Sequence, residues 1–209
     1  MDEATTTELI VIRHGVTEWN QKGIMQGHMD PPLSELGYRQ AQALARRMEA
    51  ENIAALYSSD LQRAKQTAEP IAHATGCEIQ IDRRIRERNI GVLQGLRWRE
   101  AMEKHPEIVE QLLKGDPLYT IPGGESWKHT FERVKSFLQD ILARHTGEKI
   151  AIVTHGGILN CLFRLVVGLP PGRFRGLRIP NASFNRFEYH DDHWFLVVWG
   201  DTCHLASIQ

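Results

Sequence analysis

Apolar positions recur along this chain with two periods, one fitting strands and one fitting helices. Glu8–Arg13 is β-branched and apolar through its centre, which predicts a buried strand. Ser34–Glu51 repeats Leu36, Ala43, Leu44 and Met48 on one side of a helix, with Ser34 placed to cap it. Ala54–Ser58 reads as a short strand. Asp60–Thr75 reads as a helix capped by Asp60 and closed by Gly76, and Glu78–Ile81 as a further strand. From Asp82 to Arg99 no period is sustained, so this segment is expected to be an ordered loop arm across the top of the fold. Helices are predicted over Trp98–Lys104 and Pro106–Lys114, followed by a turn-rich stretch, Gly115–Gly124. Ser126 caps a long amphipathic helix reaching about His145, using Phe131, Val134, Phe137, Leu138, Ile141 and Leu142. Lys149–Thr154 is a buried strand and Gly156–Val167 a helix. Ala182–Tyr189 and His193–Trp199 form a hairpin around His190-Asp191-Asp192.

Strands alternating with helices predict an α/β fold of three layers, α/β/α. Its sheet is expected to be mostly parallel, with helices on both faces and the antiparallel C-terminal hairpin at one edge. The 209 residues fit one domain, 1–209, with no linker, low-complexity tract or structural repeat. Composition narrows the function classes. A net charge of -1 with 24% charged and 42% hydrophobic residues argues against disorder and against a nucleic-acid partner. The longest apolar runs, Leu9–Ile12 and Phe195–Trp199, are far short of the roughly 20 residues of a membrane span, so no membrane partner is expected. Met1-Asp2-Glu3-Ala4 is acidic and lacks the pattern of a secretory signal, which makes a cytoplasmic location the expectation. Cys77, Cys161 and Cys203 are odd in number and widely spaced, so three reduced thiols, mostly buried, are expected.

The chemistry begins with a local echo. Leu9-Ile-Val-Ile-Arg-His14-Gly15 and Ile150-Ala-Ile-Val-Thr-His155-Gly156 both run from a buried strand into His-Gly. Ligands of an open parallel sheet sit outside the carboxyl ends of its strands, so both histidines are delivered to the same rim. Taken singly, each residue has a plain structural reading: Arg13-His14-Gly15 as a strand end with a turn, Arg63 as a helix residue paired to a carboxylate, Glu87 paired to Arg84, Arg86 or Arg88, and His155 as a core histidine.

Together, in this order, Arg13-His14-Gly15, Asn20, Arg63, Glu87 and His155-Gly156 resemble the histidine phosphatase superfamily, also called phosphoglycerate mutase-like. The resemblance spans nearly the whole chain. It includes Arg-His-Gly-Val-Thr-Glu-Trp-Asn at 13–20, Pro32-Leu-Ser-Glu-Leu-Gly37, Ser58-Ser-Asp-Leu-Gln-Arg-Ala64 with Thr67, and Glu87 followed by Gly91 and Gly95. It implies that His14 is a nucleophile forming a phosphohistidine that water then hydrolyses, and that Glu87 is the general acid and base. Arg13 and Arg63 would supply planar forks to phosphate oxygens, His155 a further donor if protonated, and Asn20 a neutral one. Thr17, Gln26, Gly27 and Gly156 join the expected phosphate site. For His14 to attack, its other ring nitrogen should donate to a backbone carbonyl, and nearby cations should keep the ring neutral. The family chemistry needs no metal and no cofactor, and His190 and His193 are read as turn residues.

Within the family the phosphatase branch fits better than the mutases. Only 68 positions separate Glu87 from His155, Met102–Ser126 contains no arginine, and the first motif reads Val16-Thr17-Glu18. The departure at Val16 from the commoner Glu leaves a cofactor-dependent mutase as the alternative, with a non-catalytic phospho-ligand docking protein as another. A dedicated protein-phosphohistidine phosphatase would be smaller and lack the equivalent of Glu87. The expected ligands are a small phosphorylated substrate and inorganic phosphate, with broad specificity. Six arginines in Arg83–Arg99 against Glu87, joined by Arg173, Arg175 and Arg178, could draw a second anionic group, or could instead pair with carboxylates on neighbouring helices. Trp19, Leu93, Trp98 and Trp127 could line an apolar pocket. Phe195–Trp199, if a free sheet edge, could pair two copies as a homodimer.

Overall fold

Side chains alternate across a strand, so the apolar run at the start of the chain must be covered on both sides. In the computed structural model, which describes residues 6–172 and 176–208, strand β1 (Thr7–Arg13) does this. Leu9 and Val11 enter one apolar cluster with Phe137, Ile141, Ile158 and Leu162, while Ile10 and Ile12 enter a second with Leu44, Met48, Ala68 and Ile71. The helices behind these clusters are α6 (Trp127–Arg144) and α7 (Gly156–Val166) on one face, and α2 (Glu35–Met48) and α3 (Gln62–Thr75) on the other. Strands β2 (Ala55–Ser58), β3 (Ile79–Ile81), β4 (Lys149–Thr154), β5 (Phe184–His190) and β6 (His193–Asp201) complete a six-stranded sheet of order β3-β2-β4-β1-β5-β6. The first four of these neighbours run parallel, and β5 and β6 are antiparallel at one edge. The three-layer α/β/α architecture is the one the alternation of periods implied. No described helix is long and apolar enough to cross a membrane.

Local chemistry accounts for the element ends. Ser34 accepts a hydrogen bond from the Gly37 amide, Ser126 accepts one from that of His129, and Gly76 closes α3 at φ +72°, where a side chain would be strained. Asp60 does not cap α3. The capping residue by position is Leu61, and the Gln62 amide donates instead to both oxygens of Asp30, at 2.7 and 2.9 Å. Asp60 is occupied by Arg83 at 3.1 Å and Arg86 at 2.5 Å, ion pairs that outweigh one neutral cap bond.

The segment between β1 and α2 holds a short helix that the apolar pattern does not reveal, α1 (Glu18–Lys22). Thr17 and Asn20 make it through a reciprocal capping box: the Thr17 hydroxyl accepts from the Asn20 amide and the Asn20 carboxamide oxygen from the Thr17 amide, each at 3.1 Å. The arm from Asp82 contains two single 3-10 turns, Arg83–Ile85 and Gly91–Leu93, before α4 (Trp98–Lys104) and α5 (Pro106–Lys114). It carries a small apolar cluster of its own, made by Leu93, Ala101, Ile108, Val109 and Ile121. The thiols depart from expectation. All three are free, but only Cys161 is buried; Cys77 is half-buried and Cys203 is exposed, because the chain beyond β6 lies on the surface. Met1–Ala4, Arg173 and Arg175 lie outside the described residues.

Candidate active site

The two His-Gly steps converge because their strands are neighbours. β1 and β4 pair with Arg13 opposite Thr154, and the His14 amide donates to the Thr154 carbonyl at 2.9 Å. The imidazoles of His14 and His155 follow at the same level, ring centres 5.2 Å apart and tilted by 58°. Both are fully enclosed. Burial, followed by the nearby Arg63 charge, holds both well below the ordinary histidine pKa; Arg13 adds to this at each ring, and His14 lowers His155 further.

His14 Nδ1 lies 2.7 Å from the Gly15 carbonyl oxygen, to which it can only donate. That fixes the proton on Nδ1 and leaves Nε2 with its lone pair toward a cavity of about 350 Å³. Arg13, Asn20, Gln26, Gly27, Arg63 and Glu87 also border this cavity. Thr17 and Gly156 do not. Thr17 is buried behind it and orients Asn20, whose carboxamide oxygen accepts from Thr17 and from Asn181 Nδ2, leaving the amide NH2 as the group it can offer. His155 packs behind His14 rather than on the cavity wall.

The arginines are rigidly held. Arg13 donates through one terminal nitrogen to the Ile179 carbonyl, and Arg63 donates to the carbonyls of Met29 and Gly27 at 2.9 and 2.8 Å, with Asp30 at 3.6 Å. Desolvation lowers the Arg63 pKa to about 10, which leaves it charged at neutral pH. Among the described residues, three nitrogens near His14 are buried without a hydrogen-bond partner: Arg13 Nε, Arg63 Nε and His155 Nδ1. Buried donors are normally satisfied, so three together suit an acceptor-rich group such as a phosphate.

Glu87 comes in from the arm. Its carboxylate accepts from the Arg88 amide at 2.8 Å and the Gly157 amide at 3.1 Å. The neighbouring arginines are engaged elsewhere: Arg84 with Asp82 and Asp140, Arg86 with Asp60, and Arg88 with the Glu125 carbonyl while lying over the Trp127 ring. Arg83 and Arg99 pair with Asp60 and Glu103, and Arg97 donates to the Lys22 carbonyl. The arm is therefore largely neutralised by local partners. Of its six arginines only Arg88 borders the cavity.

Five contributors escaped the sequence reading. Gly157, not Gly156, meets the site: a Cβ there would fall 2.2 Å from Glu87 Oε1, so only glycine admits the carboxylate. The signal was the second glycine of Gly156-Gly157. Arg133 and His28 donate to the Glu87 carbonyl at 3.0 and 2.7 Å, and Glu125 holds Arg133. Ser59 lies 2.9 Å from His155 Nε2. None of these stands out locally, because each acts across the fold. The outer wall is apolar, formed by Leu93, Trp98, Leu112, Ile121 and Trp127; Trp19 is not part of it.

Such a rim, with fixed guanidinium groups around an imidazole nitrogen left open, defines an α/β enzyme that handles phosphate groups. Comparison with known proteins agrees. Residues 9–202 match the histidine phosphatase superfamily (branch 1), and the chain belongs to that family. It is 38% identical to a metal-independent phosphoserine phosphatase of Arabidopsis thaliana, over 99% of this chain and 86% of that protein. It is 37% identical to a probable phosphoglycerate mutase, GpmB, of Salmonella choleraesuis (strain SC-B67), over 96% and 95%. Among solved structures, a mycobacterial glucosyl-3-phosphoglycerate phosphatase in complex with VO3 superposes with a TM-score of 0.85 at 30% identity, covering 93% of this chain and 99% of that one. The chain is an enzyme with phosphatase activity.

Proposed function

We propose that this chain, as one catalytic domain over 1–209, hydrolyses small phosphomonoesters through a phosphohistidine on His14. The observation that carries the reading is the fixed tautomer of His14, with Nε2 open to the cavity amid three unpartnered buried nitrogens. Arg13, Arg63 and Asn20 hold the phosphate oxygens from the cavity wall, with Gln26 and the Gly27 backbone closing the loop side and His155 donating from behind His14. Thr17 and Gly156 serve by placing Asn20 and starting α7. In the first step the His14 Nε2 lone pair forms a bond to phosphorus while the ester P–O bond breaks, and Glu87 gives its proton to the leaving alkoxide. In the second, Glu87 takes a proton from water as the water oxygen attacks phosphorus. The N–P bond breaks, phosphate leaves, and His14 and Glu87 return to their starting states. The scheme requires neither metal nor cofactor.

His155 can donate without being protonated. The Ser59 hydroxyl accepts from the Leu61 amide at 3.3 Å, and among the described residues its own hydrogen finds His155 Nε2 as its acceptor. The His155 proton then sits on Nδ1, one of the three unpartnered nitrogens.

Hydrolysis is favoured over phosphoryl return to a second substrate because the stretch Met102–Ser126 offers the cavity Leu112 and Ile121 and no cation. Three free thiols fit a reducing, cytoplasmic setting. The edge strand β6, with Phe195 and Val197 exposed, is a candidate for pairing with a second copy. The test is incubation of metal-free protein with p-nitrophenyl phosphate and with 3-phosphoglycerate, with and without 2,3-bisphosphoglycerate, using His14→Ala as control. Phosphate release that vanishes in the variant, without isomerisation, supports the reading. Bisphosphate-dependent formation of 2-phosphoglycerate overturns it in favour of a mutase, and silence in every arm in favour of a docking protein.

A further inference from the structure

The cavity is divided by chemistry. Its floor carries His14, Arg13, Arg63, Asn20 and Glu87, and its outer wall is built from Leu93, Trp98, Leu112, Ile121 and Trp127, with Ile90 between them. These side chains come from five separate pieces of chain: the 3-10 turn Gly91–Leu93 with Ile90 before it, α4, α5, the loop that carries Ile121, and the start of α6. Most of them also belong to, or pack on, the apolar cluster of the arm, so the wall is a supported surface and not a chance exposure. The part of a substrate beyond its ester oxygen must lie against this wall.

A leaving group bearing a carboxylate or ammonium would lose its hydration there and needs a partner of opposite charge to offset the loss. The described lining provides three guanidinium groups. Arg13 and Arg63 belong to the floor. Arg88 donates through Nε and one terminal nitrogen to the Glu125 carbonyl at 3.0 and 2.9 Å, and its Cζ lies over the Trp127 ring, 4.5 Å from the ring centre, so its charge is engaged by that indole. The one carboxylate in the lining, Glu87, is committed to proton transfer. An uncharged apolar group meets no such penalty, and two indoles with three aliphatic side chains suit a flat or branched hydrocarbon.

Building on the phosphatase reading, we infer that the preferred substrates are monoesters of uncharged apolar alcohols, aromatic or branched, with no charge beyond the scissile phosphate. Trp98, Leu112 and Trp127 are then specificity-determining residues. Among the described residues the lining offers no second cation to the charged end of an amino-acid or hydroxy-acid phosphate, so these are expected to be the poorer substrates although they fit the phosphate floor equally well.

The test compares 2-phenylethyl phosphate with 3-phosphoglycerate and O-phosphoserine. All three release alkyl alcohols, so proton delivery to the leaving group is nearly matched and the difference reads the outer wall. The expected kcat/KM for the phenylethyl ester exceeds both others by at least about 30-fold. Leu112→Lys puts a cation on the half-buried wall of α5; it is expected to lower the phenylethyl value about tenfold and raise that of 3-phosphoglycerate. Trp98→Leu keeps the arm packed and is expected to raise KM for the phenylethyl ester about tenfold, leaving kcat within a factor of two. The inference is overturned if either charged substrate matches the phenylethyl ester, and with particular force if Arg88→Met then removes that activity alone. Equal effects of Leu112→Lys on all three substrates would also overturn it. Absence of phosphate release from all three by the wild-type chain, with p-nitrophenyl phosphate equally inert, would instead strike the phosphatase reading itself.

Discussion

Replacing Gly157 by alanine is the most selective perturbation of the proposed chemistry. Gly157 lies in the first turn of α7, where alanine is the better helix former, so the fold is expected to tolerate the change. Its Cβ would stand 2.2 Å from Glu87 Oε1 and 3.2 Å from the carboxyl carbon, whereas ordinary contact begins near 3.4 Å. The carboxylate must therefore retreat by more than about 1 Å, a misplacement that typically costs about 10²-fold, within the roughly 10²–10⁴-fold range of a lost general acid. His14, Arg13 and Arg63 keep their places, because a Cβ at 157 meets no other side chain at close range. The loss should consequently depend on the alcohol released. With 2-phenylethyl phosphate, whose alkoxide needs a proton, kcat/KM should fall about 10²-fold or more. With p-nitrophenyl phosphate, whose phenolate leaves unaided, the first step should fall less than about fivefold, and a burst of p-nitrophenol should precede slow turnover, since hydrolysis of the phosphohistidine still needs the base. Glu87→Gln should reproduce the pattern. Equal losses on the two substrates, or a loss below about fivefold on both, would refute the assignment of Glu87.

Three further outcomes follow from the geometry. His14 and His155 are held neutral by burial and nearby arginines, so the unfolded chain binds protons more readily, and stability should fall as pH drops below about 6.5, by up to about 1.4 kcal/mol per unit for each histidine until its folded pKa is reached. Denaturant titrations at pH 7.5, 6.5 and 5.5 should show this slope, to which the depressed His28 and His204 also contribute, and His14→Ala should make it shallower; for the same reason the acid limb of kcat/KM should lie well below 6.5. Ser59→Ala should release the His155 tautomer, visible in the ¹⁵N shifts of that ring, and lower kcat/KM about tenfold for every substrate alike, while an unchanged tautomer would remove the argument for a neutral donor. Asp30→Ala removes the cap of α3 and should cost about 1 kcal/mol in urea denaturation.

The elements legible in the sequence were those whose signal is local. β4 and α4 fall where periodicity placed them, and the Ser34 and Ser126 caps form, because one strand face, one helix stripe or one cap contains the whole cause. The helix α1 was hidden because five residues span little more than a turn and none of them is buried, so no apolar stripe exists to read. Asp60 misled for the converse reason: its neighbours in sequence suggested a cap, but its neighbours in space are Arg83 and Arg86. In the site, the two histidines were legible through the strand echo, since β1 and β4 deliver them together. The residues that aim them and Glu87, namely Ser59, Arg133, His28 and Gly157, act over separations of 46 to 96 residues and leave no local pattern. Of the two readings open for Arg83–Arg99, the structure bears out pairing with carboxylates, Asp60, Asp82, Asp140 and Glu103; a linear count alone could not name Asp60 and Asp140, which come from elsewhere in the chain.

The strand order β2-β4-β1 also governs when this enzyme can come into being. β1 and β2 emerge early from synthesis, yet they are not neighbours; β4, more than ninety residues later than β2, inserts between them. Until it does, the edges of β1 and β2, both buried in the finished sheet, stand open to self-association, and His14 has neither its backbone anchor on Thr154 nor its partner ring. Closure of so long a loop is slow relative to helix formation, so helical signal should recover early in refolding. Turnover should recover only with the central strand, making activity a direct clock for its insertion.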